Sequence, residues 1–473
     1  MAEDYDLVIL GGGTGGYVAA IRAAQEGLKT AIVERDKMGG TCLHKGCIPS
    51  KSLLRSAEVL RLTKEASEYG VTAEGVSFDF SAAQARKQKV VEQLHKGVQA
   101  LMKRGKIDIY QGTGRILGPS IFSPTSGTIS VEREGEENVM LIGKNVIIAT
   151  GSSARTLPDL TIDGAQILTS DHALKLEYLP ASMIIVGGGV IGVEWASMLI
   201  DFGVKVTILE YGERILPTED RDIAREAAKQ LEARGVTIIT NVDIQADQVI
   251  KEENKVLLTG LVNNESVQFE AEKLLVCVGR AANTKDIGLK NTDIESENGF
   301  IKVNEFGQTK ESHIYAIGDV IGGLQLAHVA SHEGIIAVEH ILGHQPLPIN
   351  PDTIPSCIYS YPEIASVGLT EDASKEKGHD IKVGTFPFQA IGKALVQGET
   401  NGFVKLIADK ETDDLLGVHI IGPHATELIS EAAIAKVLDA ASWEVAQTIH
   451  PHPTLSEGLS EAALAANGKA IHA

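Results

Sequence analysis

With 473 residues, 43% of them apolar, the chain is too long for one hydrophobic core and has an ordinary globular composition. A formal charge of −20 excludes nucleic acid and anionic membrane surfaces as partners, since both select basic patches. No apolar run is long enough to span a bilayer, the first residues run almost directly into a strand, and four cysteines are too few for a disulfide scaffold, so a cytoplasmic protein is expected.

In chain order, the apolar run 7–10 predicts a buried parallel strand. Gly11, Gly13 and Gly16 follow as G-x-G-x-x-G, residues 17–26 predict a helix stopped by Gly27, and 29–33 predict a second strand closed by Glu34. This is the dinucleotide fingerprint in its full context. The glycines let backbone approach a pyrophosphate, the helix N-terminus faces its charge, and the acid can accept from a ribose diol.

The segment 39–51, GGTCLHKGCIPSK, carries Gly40, Thr41, Cys42, Cys47 and Lys51. A five-residue step puts two cysteines on different faces of a regular helix, so pairing demands a distorted turn at a helix start. Gly46 and Pro49 supply that irregularity. Two separate buried thiols are the alternative, and the spacing alone leaves both open. Cys277, in the apolar run 274–278, reads as a core thiol, and Cys357 reads as structural.

Residues 81–103 predict a long helix with a polar face. Gly112 and Gly114 follow, and the run 146–148 predicts a strand ending in the tight turn Ala149-Thr150-Gly151, a candidate domain crossover. Then the first unit returns. A strand at 183–186 leads into Gly187, Gly189, Val190, Ile191 and Gly192, a helix ends near Gly203, and a strand at 205–209 meets Glu210. Gly187, Gly189, Gly192, Gly203 and Glu210 fall on Gly11, Gly13, Gly16, Gly27 and Glu34 without a gap. Two complete copies imply two cofactors.

A strand at 314–317 runs into Gly318-Asp319, an acid placed to face the ligand crevice of a parallel sheet. From about 350, alternating strands and Ala-rich helices at 426–438 and 459–466 predict an α+β domain. The stretch 450–457, HPHPTLSE, has two readings. Thr454 and Glu457 fit a capping box, with the histidines as loop residues; alternatively one histidine is a general acid/base held by a carboxylate. Spacing alone favours the cap.

Gly40-Thr41-Cys42, Cys47-Ile48-Pro49-Ser50-Lys51, the twin fingerprints, Ala149-Thr150-Gly151, Val278-Gly279-Arg280 and Gly318-Asp319 occur in an order that resembles the pyridine nucleotide–disulfide oxidoreductases along essentially the whole chain. The 450–457 end resembles their dihydrolipoamide dehydrogenase branch. The resemblance implies an α/β fold with two Rossmann-like dinucleotide-binding domains and a C-terminal α+β dimerisation domain. The implied boundaries are 1–150 for FAD, 151–275 for NAD, 276–349 for a central domain completing the FAD site, and 350–473 for the interface.

It implies a redox disulfide between Cys42 and Cys47. FAD would lie on Gly11, Gly13, Gly16, Glu34, Gly40, Thr41, Cys42, Lys51, Gly114, Thr150, Asp319 and Ala327. NAD would lie on Gly187, Gly189, Val190, Ile191, Gly192, Glu194, Glu210 and Gly279, and no metal is expected. It also reverses the preference for a simple cap: His452 becomes the base and Glu457 its orienting partner, while Lys51 pairs with Glu194 beside the isoalloxazine. The implied activity is reoxidation of protein-bound dihydrolipoamide by NAD+ in a homodimer whose sites are shared between chains. The implied partners are the lipoyl domain and acyltransferase core of a 2-oxoacid dehydrogenase complex, or a glycine cleavage system.

Two departures, Ala282 where proline is frequent and Pro451 where alanine is common, carry no functional consequence. Glutathione reductases use NADP and end their second fingerprint in basic residues rather than Glu210, and mercuric reductases carry a C-terminal cysteine pair, whereas no cysteine follows Cys357. A purely structural role in a multienzyme core is disfavoured by the intact cysteines, histidine and nucleotide units.

Overall fold

The computed structural model describes residues 2–119 and 126–472. The chain falls into two compact units, one built from Met1–Ser52, Ser81–Arg155 and Gly279–Ile349, the other from Leu53–Phe80, Thr156–Val278 and Asn350–Ala473.

The first unit is organised by a sheet in which Asp108–Gln111, Thr30–Glu34, Ala2–Leu10 and Val139–Ile148 run parallel in that order. Val139–Ile148 also pairs with Thr128–Glu132, antiparallel at its start, and with Ile314–Ala316, parallel at its end. Its central strands alternate between two cores, as side chains on a strand must. Leu7, Ile9, Ile32 and Ile147 share one face with Ala19, Ala20 and Ala23 of helix Thr14–Gln25, while Val8, Leu10, Val33, Val146 and Ile148 share the other. Burial on both faces explains the continuous apolar runs. The long helix is Phe80–Arg104, with Ala83, Lys87, Val91, Val98 and Met102 buried at helical spacing.

The second unit repeats the pattern with five parallel strands, Thr237–Ile239, Lys205–Leu209, Ser182–Val186, Lys273–Val276 and Ile167–Thr169. Its C-terminal part is a five-stranded antiparallel sheet, ordered Ser356–Ile358, Glu363–Gly368, Leu415–Gly422, Phe403–Asp409 and Ile381–Pro387. Lys405 is buried there, bonded to Asp220, Asp222 and Glu371 at 2.8, 2.7 and 2.8 Å. Three carboxylates around one ammonium compensate a charge that burial alone would expel.

The two Ala-rich helices play different parts. Ala425–Val437 leaves Ile434 62% and Val437 64% exposed, and Leu438 just beyond it 73%. Glu457–Ala466 instead sinks Ala462 and Ala463 completely into the core of its own domain. Its small side chains serve close seating on the sheet. Among the described residues no helix is long and apolar enough to cross a membrane.

The seat of helix Glu457–Ala466 is Gly384, where an added Cβ would stand 1.9 Å from Ala462 O and 2.3 Å from Ala466 N. Gly384→Ala is therefore expected to cost about 1–3 kcal/mol of stability by overpacking. Urea unfolding followed by circular dichroism checks this; an unchanged midpoint would show that the helix can shift freely.

Candidate active site

The first fingerprint turn leaves no room for side chains at two of its glycines. A Cβ on Gly11, whose φ is +113°, would lie 2.2 Å from Ala149 O, and one on Gly16 would lie 1.9 Å from Gly11 O. Strand, turn and helix are thus pressed together through main chain. Gly13, the middle glycine, opens helix Thr14–Gln25 without a side-chain cap, so the backbone N–H groups of the first turn face outward. Glu34 is held by two backbone donors, Gly12 N and Asp36 N, each at 2.7 Å.

The second copy reproduces this bond for bond. A Cβ on Gly187 would meet Cys277 O at 2.3 Å, one on Gly192 would meet Gly187 O at 2.0 Å, and one on Gly189 would meet nothing within 4 Å. Glu210 accepts from Gly188 N at 2.6 Å and Gly212 N at 2.7 Å. Val190 and Ile191 form the first turn of helix Val190–Asp201. Both turns fit a dinucleotide: an open glycine at a helix N-terminus for the pyrophosphate, and an oriented carboxylate for a ribose diol. Arg214, the nearest cation in sequence after Glu210, spends its guanidinium on Glu219 O and Pro217 O, both at 2.9 Å.

Cys42 lies on the short helix Gly40–Lys45, and Cys47 opens helix Cys47–Lys64. Between them Gly46 adopts φ −146° and ψ −113°, outside the helical basin, which is the expected distortion. Pro49 is tolerated in the first turn of the second helix, where an N–H would lack an intrahelical partner. Gly40 packs on the first fingerprint, since a Cβ there would stand 2.5 Å from Gly13 Cα. Thr41 follows it in the same short helix.

The cysteines stand as two thiols that hydrogen-bond to each other. That bond first, and burial second, push the Cys42 thiol up, while the Lys51 charge and a hydrogen bond with the Thr14 hydroxyl pull it back down. A dithiol of this kind holds its protons until a partner takes one, and the lysine and threonine favour the thiolate that then forms.

Asp319 begins the segment beyond strand Ile314–Ala316 and accepts from Ser152 Oγ, with Arg280 Nε 3.6 Å away. Arg280 also donates to Ser152 Oγ at 2.6 Å and Ser152 O at 2.8 Å. Thr150 is tied to Asn283 by two reciprocal bonds of 2.9 Å. Ala327 opens helix Ala327–Ile341, again without a side-chain cap. From that helix Glu333 accepts from Gly318 N at 2.6 Å; burial, reinforced by Asp319, raises its pKa against that bond. Gly114 lies against the sheet, where a Cβ would meet Leu10 Cδ1 at 2.3 Å. Gly279, with φ +100°, belongs to the first unit and accepts from Arg155 N.

In the second unit Glu194 is buried and accepts from Tyr359 N at 2.9 Å. His452 is 77% exposed, and its Nδ1 lies 2.9 Å from Glu457 Oε1. The other oxygen of Glu457 accepts from Thr454 N at 2.9 Å. One carboxylate therefore serves both readings of this stretch, closing the backbone half of the cap and orienting the ring. Burial pushes Glu457 up, but the bonds from Thr454 N and His452 outweigh it and leave it below the usual carboxylate value.

Thr14, Ser152 and Glu333 were not singled out by the sequence, and Arg280 entered only within the Val278-Gly279-Arg280 motif. Thr14 had one legible signal, a hydroxyl at the first helical position of the fingerprint; the others are brought in by tertiary pairing.

The family described as pyridine nucleotide-disulphide oxidoreductase matches residues 5–334, and its dimerisation domain matches residues 354–463. The chain is 66% identical to a dihydrolipoyl dehydrogenase of Bacillus subtilis over 473 residues, covering 100% of both proteins. It is 43% identical to a dihydrolipoyl dehydrogenase of Zymomonas mobilis, again over 100% of both. Among solved structures, LpdA from Mycobacterium tuberculosis aligns with TM-score 0.89 and 29% identity, covering 97% of this chain and 98% of that one.

The Thr14 contact generates a test of the dithiol. Thr14→Val removes a donor that favours the Cys42 thiolate, so alkylation of Cys42 in the reduced protein by iodoacetamide at pH 8 should slow about threefold to tenfold, as expected for a rise of roughly half to one pKa unit. Mass-spectrometric mapping of the modified cysteine reads the rate, and an unchanged rate removes Thr14 from the site.

Proposed function

The chain belongs to the pyridine nucleotide-disulphide oxidoreductase family, and on that premise we propose that it oxidises dihydrolipoyl groups with FAD and NAD+ through the Cys42–Cys47 pair. Its reaction is that of a dihydrolipoyl dehydrogenase. The observation that carries this reading is the dithiol seated on the first of two nucleotide turns of matching geometry, one for each cofactor. The first turn, with Glu34, Lys51, Thr150 and Asp319, would hold FAD, and the second, with Glu210, would hold NAD. Bound there, the two cofactors supply the route by which two electrons leave the dithiol for a soluble carrier.

The chain's own residues do the thiol chemistry. His452 Nε2 takes the proton of one substrate thiol, its Nδ1–H being directed by Glu457. The resulting thiolate attacks Cys42 Sγ of the oxidised pair, the Cys42–Cys47 bond breaks, and Cys47 leaves as thiolate. His452 returns its proton to the cysteine pair and takes that of the second substrate thiol, whose thiolate attacks the first substrate sulfur and expels Cys42, which receives the second proton. One substrate disulfide forms and one protein dithiol remains, so electrons and protons balance. Lys51 favours the thiolate forms through its charge on the pair.

The protein works as a homodimer, consistent with its match to the dimerisation domain and with the exposed Ile434, Val437 and Leu438. His452 of one chain serves the dithiol of the other, a division carried by the family likeness. The lipoyl domain and acyltransferase core of a 2-oxoacid dehydrogenase complex, or a glycine cleavage system, present the substrate, and the cytoplasm is the compartment.

Two measurements test the reading. Cys47→Ser and His452→Gln should each abolish dihydrolipoamide oxidation, yet after dissociation and random reassociation together recover about a quarter of wild-type activity, because mixed dimers carry one intact site. No recovery despite proven subunit exchange would mean that each chain completes its own site. Wild-type protein should also prefer NAD+ to NADP+, and Glu210→Ala should narrow that preference by roughly tenfold or more by removing repulsion of a 2′-phosphate. Equal kcat/KM for both cofactors in the wild type would sink this role for Glu210.

A further inference from the structure

The loop that bears His452 carries a second histidine–carboxylate pair. His450, two residues earlier, has a side chain only 6% exposed. Its Nδ1 lies 2.9 Å from Thr448 O and its Nε2 lies 2.6 Å from Glu431 Oε1. A carbonyl can only accept, so Nδ1 carries a hydrogen; an ionised carboxylate can only accept, so Nε2 carries one as well. Facing an ionised Glu431, His450 thus carries hydrogen on both nitrogens, and that hydrogen bond, outweighing burial, raises its pKa above the ordinary histidine value.

His452 is its opposite in exposure, open to solvent and turned by Glu457. Glu457 feels the positive charge of both rings. The acids acting on His450 are Glu431 from helix Ala425–Val437 and Glu457 from helix Glu457–Ala466, while His452 is held by Glu457 alone among the described contacts.

We propose that His450 and Glu431 form a positioning pair for His452: a fixed ion pair that anchors the loop and sets, through its charge, how readily the exposed ring accepts a proton. This rests on the reading of His452 as the base. Intact, the pair is close to neutral. Without the His450 charge, Glu431 is left negative beside the loop and favours protonated His452. Without the Glu431 charge, His450 is left positive and disfavours it. A unit charge several ångströms away at intermediate dielectric shifts a pKa by roughly half to one unit. A prop with no electrostatic role would give no such opposition of sign.

The test is the pH profile of kcat/KM for dihydrolipoamide, measured on FAD-loaded dimer. In His450→Gln the limb assigned to the base should move up by roughly half to one pH unit. In Glu431→Gln it should move down by less, because His450 then sheds its own proton more readily. The double variant should return towards wild type. If His450→Gln does not fold, the isosteric Glu431→Gln, on a side chain 40% exposed, still decides the sign. Lower kcat with unmoved limbs, or limbs moved in the same direction, would overturn the pair's role. His452→Gln separates the two readings: near-normal turnover overturns His452 as base, whereas lost turnover with unmoved limbs in the other variants overturns only the positioning pair.

Discussion

The structure depends on contact between bare main chains. At each nucleotide turn a glycine Cα sits under the carbonyl of the adjacent strand, Ala149 in one copy and Cys277 in the other, with no space for a methyl group. That approach sets the angle at which the helix leaves the strand, and so the direction of its unpaired N–H groups. The redox segment is fixed by the same means, Gly40 against Gly13. The dithiol is thereby built onto the nucleotide turn without an intervening side chain.

Charge is arranged around these contacts by backbone donors. Glu34 and Glu210 each receive two main-chain N–H bonds, and Glu457 receives one along with its histidine. A carboxylate fixed in this way loses little further freedom on meeting a ligand and keeps lone pairs to spare. Glu333 is different: burial keeps it inclined to hold a proton next to Asp319.

Much of this was legible in residue order. Both fingerprints, their stop glycines and their terminal acids were readable because strand, turn and helix are contiguous, and Gly46 announced the break between the two cysteine helices. Contacts between distant segments were not. Ser152 and Asp319 are 167 residues apart, and Glu431 lies 19 before His450, on a helix whose composition suggested only packing. Strand Ala2–Leu10 also starts before the apolar run at 7–10, because its exposed first residues are held by ladder bonds to Met140–Ile142 rather than by burial. Nor does anything in residues 53–80 mark them as part of the second unit.

The contact at Cys277 has one more consequence. The fingerprint meets this residue through its carbonyl, as it meets Ala149 in the first copy. Here the side chain is a thiol, in a protein whose chemistry is thiol exchange. Burial pushes that thiol up to about 12, so it stays protonated and non-nucleophilic where the reactive pair must ionise. A sulfur that keeps its proton in this way takes no part in thiol exchange.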